Sequence, residues 1–399
     1  MVILSKPFAI AAALLSTGVL AHPGHDVKAE VAQRAAYMKT AERRSLAHCA
    51  EKLKERGITQ LSIARRQAAV EQLRMKGGIE RRDFGKALNT SHHSSQNYTS
   101  STPADVLFAG NASCILSPEV TEGPYYVSGE YVRQNVVEKE PGVPLTYEVQ
   151  VLDVKTCEPL QGVLLEMWHC NSTGVYGGIA GGNSNGASDD RELNNTMLRG
   201  IQPSDKDGVI TFETVFPGHY TGRTPHIHVL AHLNATVLPN NTVAGGTVSH
   251  VGQLFFDQSL ISAVELTAPY SANTQQLTTN AQDFIMAQEA ENGDPIIEYT
   301  YVGSKVEEGL FGWIAFGVDA SANHTVNAAA SYGANGGKAN PNPGFPGGPF
   351  PSGGFPSGFP GFPSGFPSGF PIPTNFPGFP QPSATPRPSS QPVAAVDQE

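Results

Sequence analysis

The spacing of apolar and polar positions changes character three times along this chain of 399 residues. Between residues 28 and 86, Leu46, Cys49 and Leu53 recur at helical spacing among good helix formers, with no proline, so this stretch predicts helix. Thr90 to Thr102 is polar and rich in Ser, His and Asn, as expected of a linker. From Cys114 to about Phe316 the pattern turns to strands. Alternation runs from Tyr147 to Val154, Gly162 to Trp168 follows, and Gly208 to Val215 comes after a turn at Asp205 to Gly208. Thr224 to Leu233 and Gln253 to Phe256 supply further strands, while Ser271 to Glu291 reads as helix. Short strands with turn signals between them predict an all-β core, an antiparallel β-sandwich, and a domain of about 200 residues can bury a substantial core. Beyond Ala334 the chain becomes low in complexity, with Gly-Phe-Pro and Pro-Ser-Gly-Phe units between Pro343 and Pro380. Frequent proline interrupts ladders and helices, so a disordered tail is expected, its phenylalanines suited to wall contact or self-association. The division that results is 1–21, 22–90 helical, 91–113 linker, 114–330 sandwich and 331–399 tail.

The first 21 residues have the form of a secretory signal: Lys6, an apolar run from Phe8 to Leu20, and a small-residue cleavage site at Val19 to Ala21. That run is too short for a confident membrane span, and a secreted, extracellular protein is expected. Eight N-x-S/T sequons, at Asn89, Asn97, Asn111, Asn171, Asn194, Asn234, Asn240 and Asn323, fit a glycoprotein. Cys49, Cys114, Cys157 and Cys170 then predict two disulfides in one of three connectivities. A hairpin turning at Glu158 to Gly162 would hold Cys157 and Cys170 apart and disfavour their pairing.

Charge is uneven. Residues 22–86 hold 15 Lys/Arg against 8 Asp/Glu, whereas the whole chain has a net charge of −10. The basic part lacks aromatic interleaving, which argues against nucleic acid; a solvated helix face or packing on the acidic body fits better. Dibasic pairs at Arg43-Arg44, Arg65-Arg66 and Arg81-Arg82 leave open a removable pro-segment.

Candidate chemistry concentrates between Phe216 and His228, FPGHYTGRTPHIH. Alternate side chains of a strand share a face, so His226 and His228 can present two imidazoles to one point. Imidazole suits zinc, copper, iron and nickel alike. Tyr220 nearby adds a phenol, a hard anionic donor when ionised, and tilts the choice toward ferric iron; Arg223 adds a fixed cation. Upstream, Trp168 to Tyr176 leaves a strand for a Gly-rich loop, and Tyr176 joins the group if the sandwich brings it there.

At these residues the chain resembles the intradiol ring-cleavage dioxygenases, particularly their secreted fungal branch. The stretch EGPYY at 122–126, the core from Asp153 to Trp168 with Gly174-Val-Tyr176, and Asp207 through His228 are similar to that family's separated motifs, over roughly residues 114–260. The resemblance implies a mononuclear non-haem Fe(3+) centre with Tyr176, Tyr220, His226 and His228 as ligands. Arg223 falls on the arginine that contacts bound catecholate, Tyr220 also acts in catalysis as a displaceable base, and Gln253, Tyr125 and Tyr126 fall on pocket positions. Catechols or hydroxyquinols and O2 are the implied substrates, cleaved between the two hydroxyl-bearing carbons to a muconate-type dicarboxylate. Tyr220 and Arg223 stand closer together than in the soluble catabolic enzymes, and a cysteine follows the Trp-His pair at Trp168, which bears on substrate identity. A transthyretin-like binding sandwich, a cell-wall structural protein and a zinc hydrolase remain as alternatives. His169, His219 and His232 read as packing or surface histidines.

Overall fold

The computed structural model describes residues 46–79, 113–114, 123, 125–179, 190–290 and 294–340. The signal, the linker, the Arg43-Arg44 and Arg81-Arg82 pairs and the tail beyond residue 340 lie outside the described residues.

Helix forms where the N-terminal pattern predicts it. A 3-10 turn at Leu46–Cys49 leads into α1 (Ala50–Glu55) and α2 (Ile58–Lys76), with Gly57 between them in the left-handed region at φ 69°. The strands follow in chain order: β1 (Ser113–Cys114), β2 (Val127–Ser128), β3 (Pro144–Asp153), β4 (Leu164–Trp168), β5 (Arg199–Pro203), β6 (Val209–Val215) and β7 (His226–Leu233). After them come β8 (Thr236–Val237), β9 (Val243–Ala244), β10 (Thr247–Phe255), β11 (Glu298–Tyr301), β12 (Leu310–Val318), β13 (Ala330–Gly333) and β14 (Gly336–Ala339). Two short helices, α3 (Gln258–Glu265) and α4 (Phe284–Ala290), lie between β10 and β11.

Two sheets face each other. The first has the order β1-β12-β3-β6, with β11 also on β12; the second has the order β10-β7-β4-β5. Inner-face residues of both interleave into one core: Tyr147, Val149 and Val151 of β3, Ile314 and Phe316 of β12, Leu165 and Met167 of β4, and Ile227, Val229 and Ala231 of β7. The second sheet is antiparallel throughout, as expected, but the first is mixed, since β12 runs parallel to β3 along its whole length. Parallel neighbours need a long crossover, and here the whole of the second sheet lies between β3 and β12 in sequence.

The outer face of the first sheet is covered by α2. Ile63 and Val70 pack on Val302, Phe311 and Trp313, and buried Glu148 on β3 accepts hydrogen bonds from Arg65 Nε at 2.7 Å and Arg66 Nε at 3.1 Å. The basic segment therefore packs on the acidic body, and the Arg65-Arg66 pair is structural: Arg66 is fully buried, out of reach of a processing protease.

Four expectations need correction. The Glu158–Gly162 segment is not the turn of a β3–β4 hairpin: the chain turns at 154–157, Glu158 to Leu160 pair back on the end of β3, and β4 belongs to the other sheet. Cys157 pairs with Cys49 (Cα–Cα 5.3 Å), pinning the first helical turn to the end of β3, while Cys170 is a buried free thiol, so one disulfide and not two is found among the described residues. Ser271 to Glu291 is helical only in pieces, at Tyr270–Ala272, Asn280–Gln282 and α4, because the intervening side chains bond to loops instead. Ordered structure also runs past residue 330: β13 and β14 form a hairpin whose first strand pairs in parallel with β2.

Candidate active site

The site is built on the outer face of the second sheet. Along β7, Ile227 and Val229 enter the core, so His226 and His228 project to the opposite face. Cross-strand register fixes their neighbours: Arg199, Trp168, His228 and Gln253 pair in one row across β5, β4, β7 and β10. Trp168 stacks on the His228 ring at 4.9 Å and 4°. A roof made of Tyr125, Tyr126, Tyr176, Ile179, Tyr220 and Ala330 packs over this face.

Two glycine contacts bring the tyrosine loops together. A Cβ on Gly218 would stand 2.3 Å from Asn171 O, and one on Gly174 would stand 2.4 Å from His219 O. The loops leaving β4 and β6 thus touch backbone to backbone, two residues before Tyr176 and two before Tyr220. Asn171 shapes the first loop, its Oδ1 accepting from Thr173 N, Thr173 Oγ1 and Val175 N. Its Nδ2 donates to Glu140, so this sequon asparagine is engaged in structure.

The four proposed ligands come together. His226 Nε2 lies 3.1 Å from His228 Nε2 and 3.4 Å from Tyr220 Oη, and the Tyr176 ring meets the Tyr220 and His228 rings edge-on at 5.8 and 6.2 Å. All four are buried. His226 Nδ1 donates to Thr224 O at 2.6 Å, which fixes the tautomer and leaves a lone pair on Nε2. Burial, with the nearby Arg223 and Arg199 cations, holds His228 well below the usual imidazole range and therefore neutral. The Tyr176 hydroxyl is buried without a well-formed hydrogen bond among the described residues. Its burial and the adjacent Tyr220 push its pKa well above the phenol range. Two imidazoles and two crowded phenols brought together in this way fit a hard, highly charged cation, which would ionise the phenols and accept all four donors.

Beside them, Arg223 is fully buried; its Nε donates to Asp283 Oδ2 at 2.9 Å and its Nη2 to Gln253 Oε1. Burial opposes the charge on Arg223, but Asp283 and the two tyrosines more than restore it and raise its pKa. Gln253 Nε2 is buried and has no hydrogen-bond partner among the described residues, which leaves a donor for a guest. Tyr125 stacks on Tyr176 at 4.3 Å and 18°, whereas Tyr126 rests on Trp168 at 5.4 Å, farther along the same face. His169, His219 and His232 are structural, bonded to Thr214, Glu265 and Glu166 respectively. Sequence reasoning missed Asp283 and Arg199. Asp283 caps α4 through Oδ1, accepting from Ile285 N and Met286 N, while its Oδ2 holds Arg223 and Thr224 N.

The chain is similar in sequence to known proteins. A family model described as Dioxygenase matches residues 119–257. An intradiol ring-cleavage dioxygenase from Tetranychus urticae is 30% identical over 53% of this chain and 98% of its own (TM-score 0.45). The chain belongs to the intradiol ring-cleavage dioxygenase family. It is an enzyme of that family, whose members typically use non-haem Fe(III) and act on catechols or hydroxyquinol with O2. The dioxygenase domain of a dioxygenase carbohydrate-binding protein fusion from Streptomyces sp. SirexAA-E is 28% identical over 51% of this chain and 97% of its own (TM-score 0.33). Hydroxyquinol 1,2-dioxygenase from Pseudomonas putida DLL-E4 is 19% identical over 51% of this chain and 67% of its own (TM-score 0.32). No curated protein sequence matches the chain.

Proposed function

We propose that the protein is an extracellular intradiol dioxygenase that cleaves catechols or hydroxyquinols between their hydroxyl-bearing carbons, with Tyr176, Tyr220, His226 and His228 holding Fe(III). The observation that carries this reading is the approach of His226 Nε2 to both His228 Nε2 and Tyr220 Oη, with Thr224 O fixing the tautomer. Neither a transthyretin-like binding sandwich nor a wall protein gives a reason for that convergence. A zinc hydrolase would not call for two buried phenols. The signal-like first 21 residues and the sequons support secretion.

Bound ferric iron would supply a Lewis acid that the two adjacent hydroxyls of a catechol can chelate, favouring loss of their protons and so an electron-rich ring open to O2. The chain's own residues receive and orient that substrate. Tyr220 Oη is the atom suited to take a substrate proton. Burial holds its pKa well above the phenol range despite the pull of Arg223, so it would act as a base only once a bound cation has ionised it. Arg223, aimed by Asp283 and Gln253, offers a preorganised cation to negative charge spreading over the ring. Gln253 Nε2 offers a donor to a substrate oxygen.

The test is oxygen uptake by purified, iron-loaded protein with catechol, hydroxyquinol and protocatechuate, with products identified. A burgundy colour from phenolate-to-iron charge transfer and a ring-opened dicarboxylate are expected. Colourless protein after iron loading, or colour and activity unchanged in Tyr176→Phe or His226→Ala, would overturn the reading.

A further inference from the structure

Arg199 opens β5 at the end of the cross-strand row that contains His228, and its side chain is 1% exposed. A buried arginine demands partners, and it finds them on both sides of Tyr176. Nε donates to Gly177 O at 2.8 Å, the carbonyl next after Tyr176, and Nη2 donates to Tyr125 O at 2.7 Å. Tyr125 is the residue whose ring stacks on Tyr176. The guanidinium carbon itself stands 5.9 Å from the centre of the Tyr176 ring. One side chain therefore ties the Tyr176 loop to the Tyr125 segment and places a positive charge beside the phenol. The facing carboxylate, Glu130, sits 3.7 Å from Nε and is buried as well. Burial raises its pKa to about 8, so at neutral pH this carboxyl is mostly protonated; Glu166 is a further carboxylate acting on the arginine.

We infer that Arg199 is a positioning residue for Tyr176: it clamps the phenol in place through the Gly177 and Tyr125 carbonyls and weakens its donation to iron through the adjacent cation. This rests on the reading of Tyr176 as an iron ligand. A cation near a phenolate lowers the energy of the donor electrons, so more energy is needed to transfer one to the metal. Removing the charge should shift the phenolate-to-iron band to longer wavelength. Keeping the charge without the planar fork should spare the band and loosen the clamp, because a lysine cannot serve both carbonyls with the same geometry.

The experiment compares wild type, Arg199→Gln and Arg199→Lys at pH 7: iron content, the visible spectrum of the loaded protein, kcat and KM, and thermal melting of the metal-free protein. For Arg199→Gln the band should move to longer wavelength by on the order of 20 nm, the equivalent of the Coulomb energy of two unit charges about 6 Å apart in a polarisable interior. Its kcat should fall with KM little changed. Arg199→Lys should keep the band near the wild-type position and recover part of kcat. A merely structural arginine would give two variants that lose iron and melting temperature alike, with no shift of the band in whatever fraction stays loaded; that result overturns the inference. Loss of the cooperative melt in both variants would assign Arg199 to the fold itself and also overturn it. A colourless wild type after iron loading would instead strike the underlying metal-site reading.

Discussion

Replacing Gly218 by alanine tests the geometry that brings the two tyrosines together while leaving every polar group of the site in place. The new Cβ would lie 2.3 Å from Asn171 O and 2.6 Å from the Ser172 carbonyl; such contacts are not tolerated below 3.0 Å, so the loops must part by at least 0.7 Å. Both obstructing groups are backbone, and Asn171 is held by its own network, so neither can swing aside cheaply. Overpacking of this kind costs about 1–3 kcal/mol of stability. The larger effect falls on the site: Tyr176 follows one side of the contact and Tyr220 the other, and a displacement near 1 Å from productive geometry can cost on the order of a hundredfold in rate. Iron retained after gel filtration, the intensity of the visible band, and kcat/KM for catechol are the assays. Gly333→Ala is the control, because a Cβ there meets nothing within 4 Å. The expected outcome for Gly218→Ala is a paler, iron-poor protein with kcat/KM reduced by about two orders of magnitude. Wild-type colour and rate in that variant would refute the claim that close packing of the two loops sets the ligand geometry.

Asp283 and Arg223 form a buried pair, and breaking it leaves a charge stranded, so Asp283→Asn should cost about 3–5 kcal/mol in the metal-free protein by chemical denaturation. Combined with Arg223→Met the loss should be clearly smaller than the sum of the two; additive losses would mean the pair does not act as a unit. Glu130 gives a pH test: its pKa rises from 4.5 to about 8 on burial, so between those values the folded chain keeps a proton that the unfolded chain has lost. Its contribution is full below the lower value, declines as pH rises and levels off above about 8, and Glu130→Gln should remove that part of the slope; identical stability–pH curves for the two proteins would sink the assignment. Cys49→Ser opens a cross-link between positions 108 residues apart and should lower stability by roughly 4–5 kcal/mol on the chain-entropy account, with colour retained. Loss of colour without loss of stability would contradict the separation of that staple from the site.

What could be read from sequence follows physical range. His226 and His228 lie on one strand, and Tyr220 and Arg223 on the loop that feeds it, so a period of two and a short loop already group them. Tyr176 required the family resemblance, because its loop meets the others through tertiary contacts such as those of Gly174 and Gly218. Asp283 was invisible: it acts 60 residues from Arg223, inside a stretch whose composition reads as one helix, whereas it caps a shorter one. Arg199 looks like any strand-end arginine until register places it beside Trp168. β12 escapes an alternating pattern because it is buried on both faces, between the sandwich core and α2, and so reads as a continuous apolar run. The disulfide could not be deduced, since its partners are brought together by the helical segment docking on the end of β3.

The position of the site outside the core has a physical reason. The space between the sheets is filled by aliphatic and aromatic side chains, where a cluster of imidazoles, phenols and guanidinium would lose its hydration without adequate partners. The outer face of the second sheet can be both polar and dry, because separate segments roof it. Gly123 and Tyr125–Val127 come from before the sandwich, the loops at 171–179 and 218–220 from within it, and β13 from after it. Each roof segment is tied down by backbone bonds, Ala329 N to Tyr126 O at 2.8 Å among them. Low dielectric around the four donors then follows from assembly of the whole domain rather than from any local motif. The same arrangement lets contacts from outside the group set the direction of the decisive side chains. Such contacts run from His226 to Thr224 O, from Arg223 to Asp283, and from Arg199 to Gly177 O and Tyr125 O.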